Sequence, residues 1–235
     1  PMHAVEGILG YFVPATPVHI SEFSQKGLWF DYQRLCRPYI NDSVLAELMG
    51  GDTEILKPYL NHIDNGYFEL KEEFNTQRKV EAWFEKQEKD EVNNRIKIGL
   101  YDCISNVILF EVEGSQAQQF HFRISMSSTI SFKHLDGDTK AKLEDLYVNY
   151  FFKRQDEAWR KEAIAKLPYL KRSTNMLICG EDLGMVPDCV PDVMKQLGML
   201  SLEIQRMPKD PKKQFFHPAD APYLSVVTPS THDMS

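Results

Sequence analysis

Two short apolar runs near the end of this chain constrain its fold most, because each delivers acidic residues at its carboxyl end. The first, Met176-Leu-Ile-Cys179, is halted by Gly180 and followed at once by Glu181 and Asp182. So short a run, bounded by glycine, suits a parallel strand buried on both faces. Gly184 and Pro187 then punctuate, and Asp188 to Leu197 reads as a helix with Pro191 in its first turn. The second run, Tyr223-Leu-Ser-Val-Val-Thr228, is β-branched and delivers Pro229-Ser-Thr-His-Asp233. Carboxylates at the carboxyl ends of buried strands are where α/β barrels keep their catalytic groups. The same acids also suit a polar loop or a helix N-terminus, where their role would be structural.

Three runs in order, Cys179-Gly-Glu-Asp-Leu-Gly-Met-Val-Pro187, Leu202-Glu-Ile-Gln-Arg-Met-Pro208 and Ser230-Thr-His-Asp233, resemble the 4-α-glucanotransferases of glycoside hydrolase family 77 type. These enzymes are also called amylomaltases or disproportionating enzymes. The resemblance is greatest to the branch containing the plant cytosolic disproportionating enzyme. Phe74-Asn-Thr76 and Arg154-Gln-Asp-Glu-Ala-Trp-Arg160 resemble that branch too. The ordered set is more specific than any one run, and it spans most of the chain.

Composition narrows the partners. With 27 basic against 34 acidic residues the net charge is −7, and the basic residues form no block. That argues against nucleic acid or an anionic membrane as partner. The 235 residues, 43% hydrophobic and 26% charged, suit one globular domain of good size or one domain with an insertion. No apolar run approaches the ~20 residues of a membrane span. Cys36, Cys103, Cys179 and Cys189 form no Cys-x-x-Cys pair, which fits reduced thiols and a cytoplasmic setting. Cys179 reads as a small buried strand residue. The seven histidines show no metal-ligand spacing, and there is no Gly-x-Ser-x-Gly turn or phosphate-cradling glycine loop. No metal and no cofactor is expected.

Along the chain, Gly7 to Pro17 reads as a loop, in which Tyr11 and Phe12 serve either to stack on a sugar or to anchor the loop. A small helix is expected over Val44 to Met49, a loop over Asn61 to Gly66, and a helix capped by Asn75 or Thr76. Glu91 to Ile104 reads as helical, and Val107–Val112 and Gln119–Ile124 as a hairpin turning at Gly114-Ser115. The longest helix is expected from Thr139 to about Lys166, ending near Pro168, with Leu143, Leu146, Tyr147, Tyr150 and Phe151 on one face. The tail alternates strand 176–180, helix 188–197, strand 202–206 and strand 223–228. Four prolines between the last two strands forbid a long helix there, so a loop is expected.

The fold expected is α/β: part of a (β/α)8 TIM-type barrel with a large, mainly helical insertion between two barrel strands. Residues 1–173 would be that insertion, and 174–235 the barrel strands and helix carrying the carboxylates. In the family resembled, the nucleophile is an aspartate in an Arg-x-Asp-His run just upstream of the position matching Pro1, and no such run occurs here. The chain therefore reads as an internal piece of a longer enzyme, inactive alone and prone to self-associate through open strand edges.

The resemblance implies retaining transfer between α-1,4-glucans, with maltose or glucose as acceptor. It makes Glu181 the general acid/base, Asp233 the transition-state stabiliser, and His232 a hydrogen-bond partner of the sugar in the −1 subsite. Alternation along a strand turns Asp182 away from Glu181, to orient its neighbours. Gln205 and Arg206 sit where they could reach substrate, although a salt bridge serves Arg206 equally well. The alternatives are an α-glucan hydrolase of the same barrel clan, or a glucan-binding chain without catalysis.

Overall fold

A polar residue at the start of most of the helices decides where helix begins, because the first amides of a helix lack partners along its axis. Asn41 Oδ1 accepts from Val44 N at 2.9 Å, Thr76 from Lys79 N at 3.2 Å, and Asp90 from Asn93 N at 2.7 Å. The computed structural model describes residues 15–184 and 186–232, which divide into two compact units. Tyr11 and Phe12 lie outside the described residues.

The first unit, up to Tyr150, mixes helices and small antiparallel sheets. In chain order it contains β1 (Val18–His19), α1 (Ile20–Gln25), α2 (Tyr32–Cys36), α3 (Asp42–Met49), β2 (Leu60–Ile63) and β3 (Tyr67–Leu70). There follow α4 (Gln77–Phe84), α5 (Glu91–Ser105), β4 (Leu109–Glu111), β5 (Gln119–Phe122), α6 (Ile130–Lys133) and α7 (Gly137–Asn149). One sheet has the order β1-β5-β4, with Leu109 opposite Phe122. The β4–β5 hairpin sits where period-two alternation and Gly114 place it.

The span expected as a loop over Asn61 to Gly66 is instead a hairpin. Leu60 pairs with Leu70 and Ile63 with Tyr67, leaving 64–66 as the turn. Asn65 and Gly66 have φ of 63° and 76° there, which few residues other than Asn and Gly adopt readily. The core beside it gathers Ile40, Leu45, Leu56, Val80, Leu100 and Ile104, all buried. Gly99 of α5 belongs to this packing, since a Cβ there would lie 2.7 Å from Met49 Sδ and 3.1 Å from Leu56 Cδ1. Gly99→Ala gains about 1 kcal/mol of helix propensity but meets about 1–3 kcal/mol of overpacking. Urea unfolding is expected to show a net loss of about 1 kcal/mol. A second, aromatic core stacks Phe23, Phe30, Phe120 and Phe122, with the Phe30 and Phe120 ring centroids 4.6 Å apart.

α7 starts two residues before the expected position, capped by Asp136, whose Oδ1 accepts from Thr139 N at 3.0 Å. The helical run widens to a π-turn over Tyr150–Arg154 and continues as α8 (Gln155–Arg172). Pro168 therefore lies inside a helix and does not end it. A proline forfeits one hydrogen bond and crowds the preceding turn. The chain absorbs this near the carboxyl end of α8, where Ser173 N closes the helix on Tyr169 O at 3.1 Å and Leu170 O at 3.2 Å.

The second unit comprises the described residues from Phe151 onward together with Ala15 and Thr16. Its helix α9 (Val190–Leu197) has Pro191 in its first turn and ends on Gly198 at φ 61°. Its strands β6 (Ser201–Ile204) and β7 (Ser225–Thr228) pair in parallel. The residues between them make one short 3₁₀ turn, Pro218–Asp220, and otherwise run as loop, as four prolines require. Gln155 is fully buried in this unit, and its amide bridges the backbone of Thr16. Its Oε1 accepts from Thr16 N at 2.8 Å, and its Nε2 donates to Thr16 O at 2.9 Å.

The run from Met176 differs from expectation. Met176 and Leu177 are 75% and 81% exposed, and Cys179 is exposed as well. Among the described residues Ile178 to Gly180 pairs with one neighbour, the chain entering β6, so the run lies at an edge. Among the described residues the sheets form no closed barrel.

Candidate functional site

Three parallel segments of the second unit lie side by side, and their carboxyl ends form the candidate site. Leu200 N donates to Ile178 O and Gly180 N to Leu200 O, both at 2.9 Å, which sets 178–180 parallel to the chain entering β6. β6 then pairs with β7, with Ser201 opposite Ser225 and Ile204 opposite Thr228. The ladder extends past the strands, as Gln205 N donates to Thr228 O at 2.9 Å and Arg206 N to Pro229 O at 3.3 Å. One edge therefore receives Glu181 and Asp182 from the first segment, Gln205 and Arg206 from the second, and Ser230 to His232 from the third. Asp233 lies outside the described residues.

The adjacent acids Glu181 and Asp182 differ in surroundings. Glu181 is exposed, whereas Asp182 is 6% exposed and doubly engaged. Its Oδ1 accepts from Leu202 N at 2.9 Å and its Oδ2 from Lys209 Nζ at 2.6 Å. Strand alternation underlies the difference: one carboxylate faces outward while its neighbour is turned into the sheet. Lys209 also donates to Glu203 Oε1 at 2.9 Å, so one ammonium serves two buried carboxylates. Burial alone would lower the Lys209 pKa, but its hydrogen bonds to the Asp182 and Glu203 carboxylates outweigh that and the net shift is upward. The Cys179 thiol, although exposed, is shifted upward by the partial loss of water on its protein-facing side and then by the Asp182 charge, with Lys209 opposing.

Glu203 and Lys209 are the residues that sequence reading passes over. Glu203 stands inside the Leu202–Pro208 run and Lys209 directly after it, but neither carries a spacing signal. Their link to Asp182 is tertiary, with Lys209 27 positions away. Gln205 is half-buried, and its carbonyl accepts from Phe216 N at 2.9 Å, which ties the long β6–β7 connection to the strand end. Arg206 and His232 are exposed at the same edge.

The edge carries an outward carboxylate with an anchored neighbour, and an imidazole, a guanidinium and an amide at the ends of the adjoining segments. Such a set suits a ligand rich in hydroxyls, each both donor and acceptor. Among the described residues no group of three His, Cys, Asp or Glu side chains could hold a metal ion, and no helix is long and apolar enough to cross a membrane.

Comparison with known proteins bears on the same stretch. The profile of glycoside hydrolase family 77, described as 4-alpha-glucanotransferase, matches residues 66–235. A curated relative, the 4-alpha-glucanotransferase DPE2 of Oryza sativa subsp. japonica, is 38% identical over 246 residues. That alignment covers 100% of this chain and 25% of the relative, so the chain spans about a quarter of the relative's length. No solved structure matches.

Proposed function

The chain belongs to the 4-α-glucanotransferase family, and from that premise we propose that it forms part of a retaining enzyme that moves glucosyl or maltodextrin units between α-1,4-glucans. The observation that carries this reading is the convergence of Glu181, Gln205, Arg206 and His232 on one edge of three parallel segments, within the stretch the family profile matches. In this reading the three segments are neighbouring members of a (β/α)8 barrel, whose catalytic groups stand at strand carboxyl ends. Residues 174–235 supply barrel elements, and 1–173 form the insertion that precedes them.

In the first step Glu181, protonated, gives its proton to the glycosidic oxygen as the bond to the anomeric carbon breaks. A nucleophilic carboxylate takes the anomeric carbon, and retaining enzymes hold the two carboxyl groups about 5–5.5 Å apart. In the second step Glu181, now ionised, removes the proton from an incoming sugar hydroxyl, which displaces the nucleophile and restores the configuration. His232 and Asp233 bind hydroxyls of the reacting sugar, Asp233 also opposing the charge that develops on its ring. Gln205 and Arg206 border the same sugar. Asp182, through Leu202 N and Lys209, fixes the backbone that aims Glu181.

The chain contains no Arg-x-Asp-His run, so the nucleophile must come from residues beyond these 235. Transfer from maltose to glycogen, with products separated by chromatography, tests the reading. The 235-residue chain is expected to be silent, and the longer protein carrying it to release glucose and elongate glucan. Glucose release without elongated glucan from the longer protein would make it a hydrolase. Turnover by the chain alone would place a nucleophile inside it.

A further inference from the structure

The first unit holds an open cleft of about 830 Å³ that the strand-end site does not use. It lies between α2, with the segment running on to Ile40, and the β2–β3 hairpin. Its size falls within the roughly 300–1,000 Å³ of small-molecule sites. Two aromatic rings line it, Tyr39 and Tyr67, with centroids 5.8 Å apart and planes at 51°.

Both rings are held before any ligand arrives. The Arg34 guanidinium lies 3.7 Å from the Tyr39 ring centroid, and is itself fixed by Ser131, donating to its Oγ and its carbonyl at 2.6 Å each. Tyr67 is set by the backbone, which bridges to Asn41 while Phe68 N donates to Ile40 O at 3.0 Å. An aromatic wall that needs no ordering loses little entropy on binding.

The remaining lining narrows the ligand. Glu69 offers a carboxylate and Asp31 the oxygen left over from capping α2, Gln33 offers an amide that both donates and accepts, and Asn75 an amide donor, its Oδ1 being taken by Lys79. All four are exposed at the cleft. An anion is disfavoured, because the Arg34 guanidinium is already engaged by Ser131, and the lining sets two carboxylates against one further cation, Arg37. A purely apolar ligand would strip these polar groups of water without replacing it. A neutral polyol answers both demands, since each hydroxyl donates to a carboxylate or accepts from an amide, while the C–H face of a sugar ring packs on a tyrosine.

We propose that this cleft is a second α-glucan site, built wholly from residues of the first unit and taking a short stretch of neutral glucose units against Tyr39 and Tyr67. The choice of glucan rests on the substrate class proposed above. The site holds a chain without cleaving it.

Amide hydrogen exchange of this chain with added maltoheptaose tests the assignment. The sugar is expected to slow exchange across residues 60–70. Tyr67→Ala, at a half-exposed position, is expected to weaken that response about tenfold in dissociation constant, with circular dichroism checking the fold. Glu69→Gln, a milder change at the rim, is expected to weaken it as well, and His232→Ala to leave the hairpin response unchanged. Absence of protection over 60–70 at millimolar maltoheptaose would overturn the site. So would a response that survives Tyr67→Ala and vanishes in His232→Ala, which would leave the strand-end reading standing. Protection that needs Tyr67 and not His232 supports the site whatever the transfer assay shows.

Discussion

Glu181→Gln in the longer enzyme is expected to lower transfer turnover by about 10²–10⁴, the usual share of acid/base catalysis. The replacement keeps size and hydrogen-bonding capacity while removing the exchangeable proton. Because Glu181 is exposed and anchors nothing in the sheet, its melting temperature should stay within the small range of surface substitutions. A donor whose leaving group needs no proton, such as a maltosyl fluoride, should recover much of the first step. That separates loss of the acid from misplacement of the loop. A near-normal rate on maltose would remove Glu181 from the role.

Lys209→Met should act on stability first. It leaves the carboxylates of Asp182 and Glu203, both 6% exposed, without their shared cation. Breaking a buried pair costs about 3–5 kcal/mol. Since the Lys209 side chain is 37% exposed and water can reach the vacated place, about 2–3 kcal/mol is the better expectation. For a unit of this size that lowers the melting temperature by about 10 °C.

Its pH dependence carries a sign. The folded pKa of Lys209 is raised, so its contribution is complete below the unfolded value of about 10.4 and is lost as pH rises through the folded value. Calorimetry from about pH 8 to about pH 12 should show the gap between variant and parent shrink as pH passes the folded value, and a gap that stays constant over that range would mean that the triad is not what Met disrupts.

What was legible in the sequence was local. Thr76 marks a helix start because a side-chain oxygen caps whatever amides follow it. Gly114 marks the β4–β5 turn, and the β-branched run 223–228 marks β7. The Asn65-Gly66 pair carried an equally local signal for the β2–β3 turn, hidden by the polar, mixed composition of its strands. The run 176–179 misled because apolarity records where a segment is able to be buried, and burial also needs neighbours on both sides. Pro168 misled because one forfeited bond and a crowded preceding turn are a local cost, which a helix as long as α8 survives. At the candidate site, the opposed surroundings of Glu181 and Asp182 follow from strand periodicity. Lys209 does not, since nothing in a linear reading says which carboxylate a surface lysine folds back upon.

The Gln155 amide has a consequence for architecture. It binds Thr16 from 139 positions away, so the polypeptide between them departs from and returns to a single point. The entropy of holding such ends together grows only with the logarithm of the span, about 0.6 kcal/mol per doubling. A tether of this kind makes the length of the intervening segment nearly neutral for the body that carries the strand ends. The excursion is free to lengthen, shorten or acquire binding clefts of its own, while the two backbone contacts at Thr16 keep its stem closed.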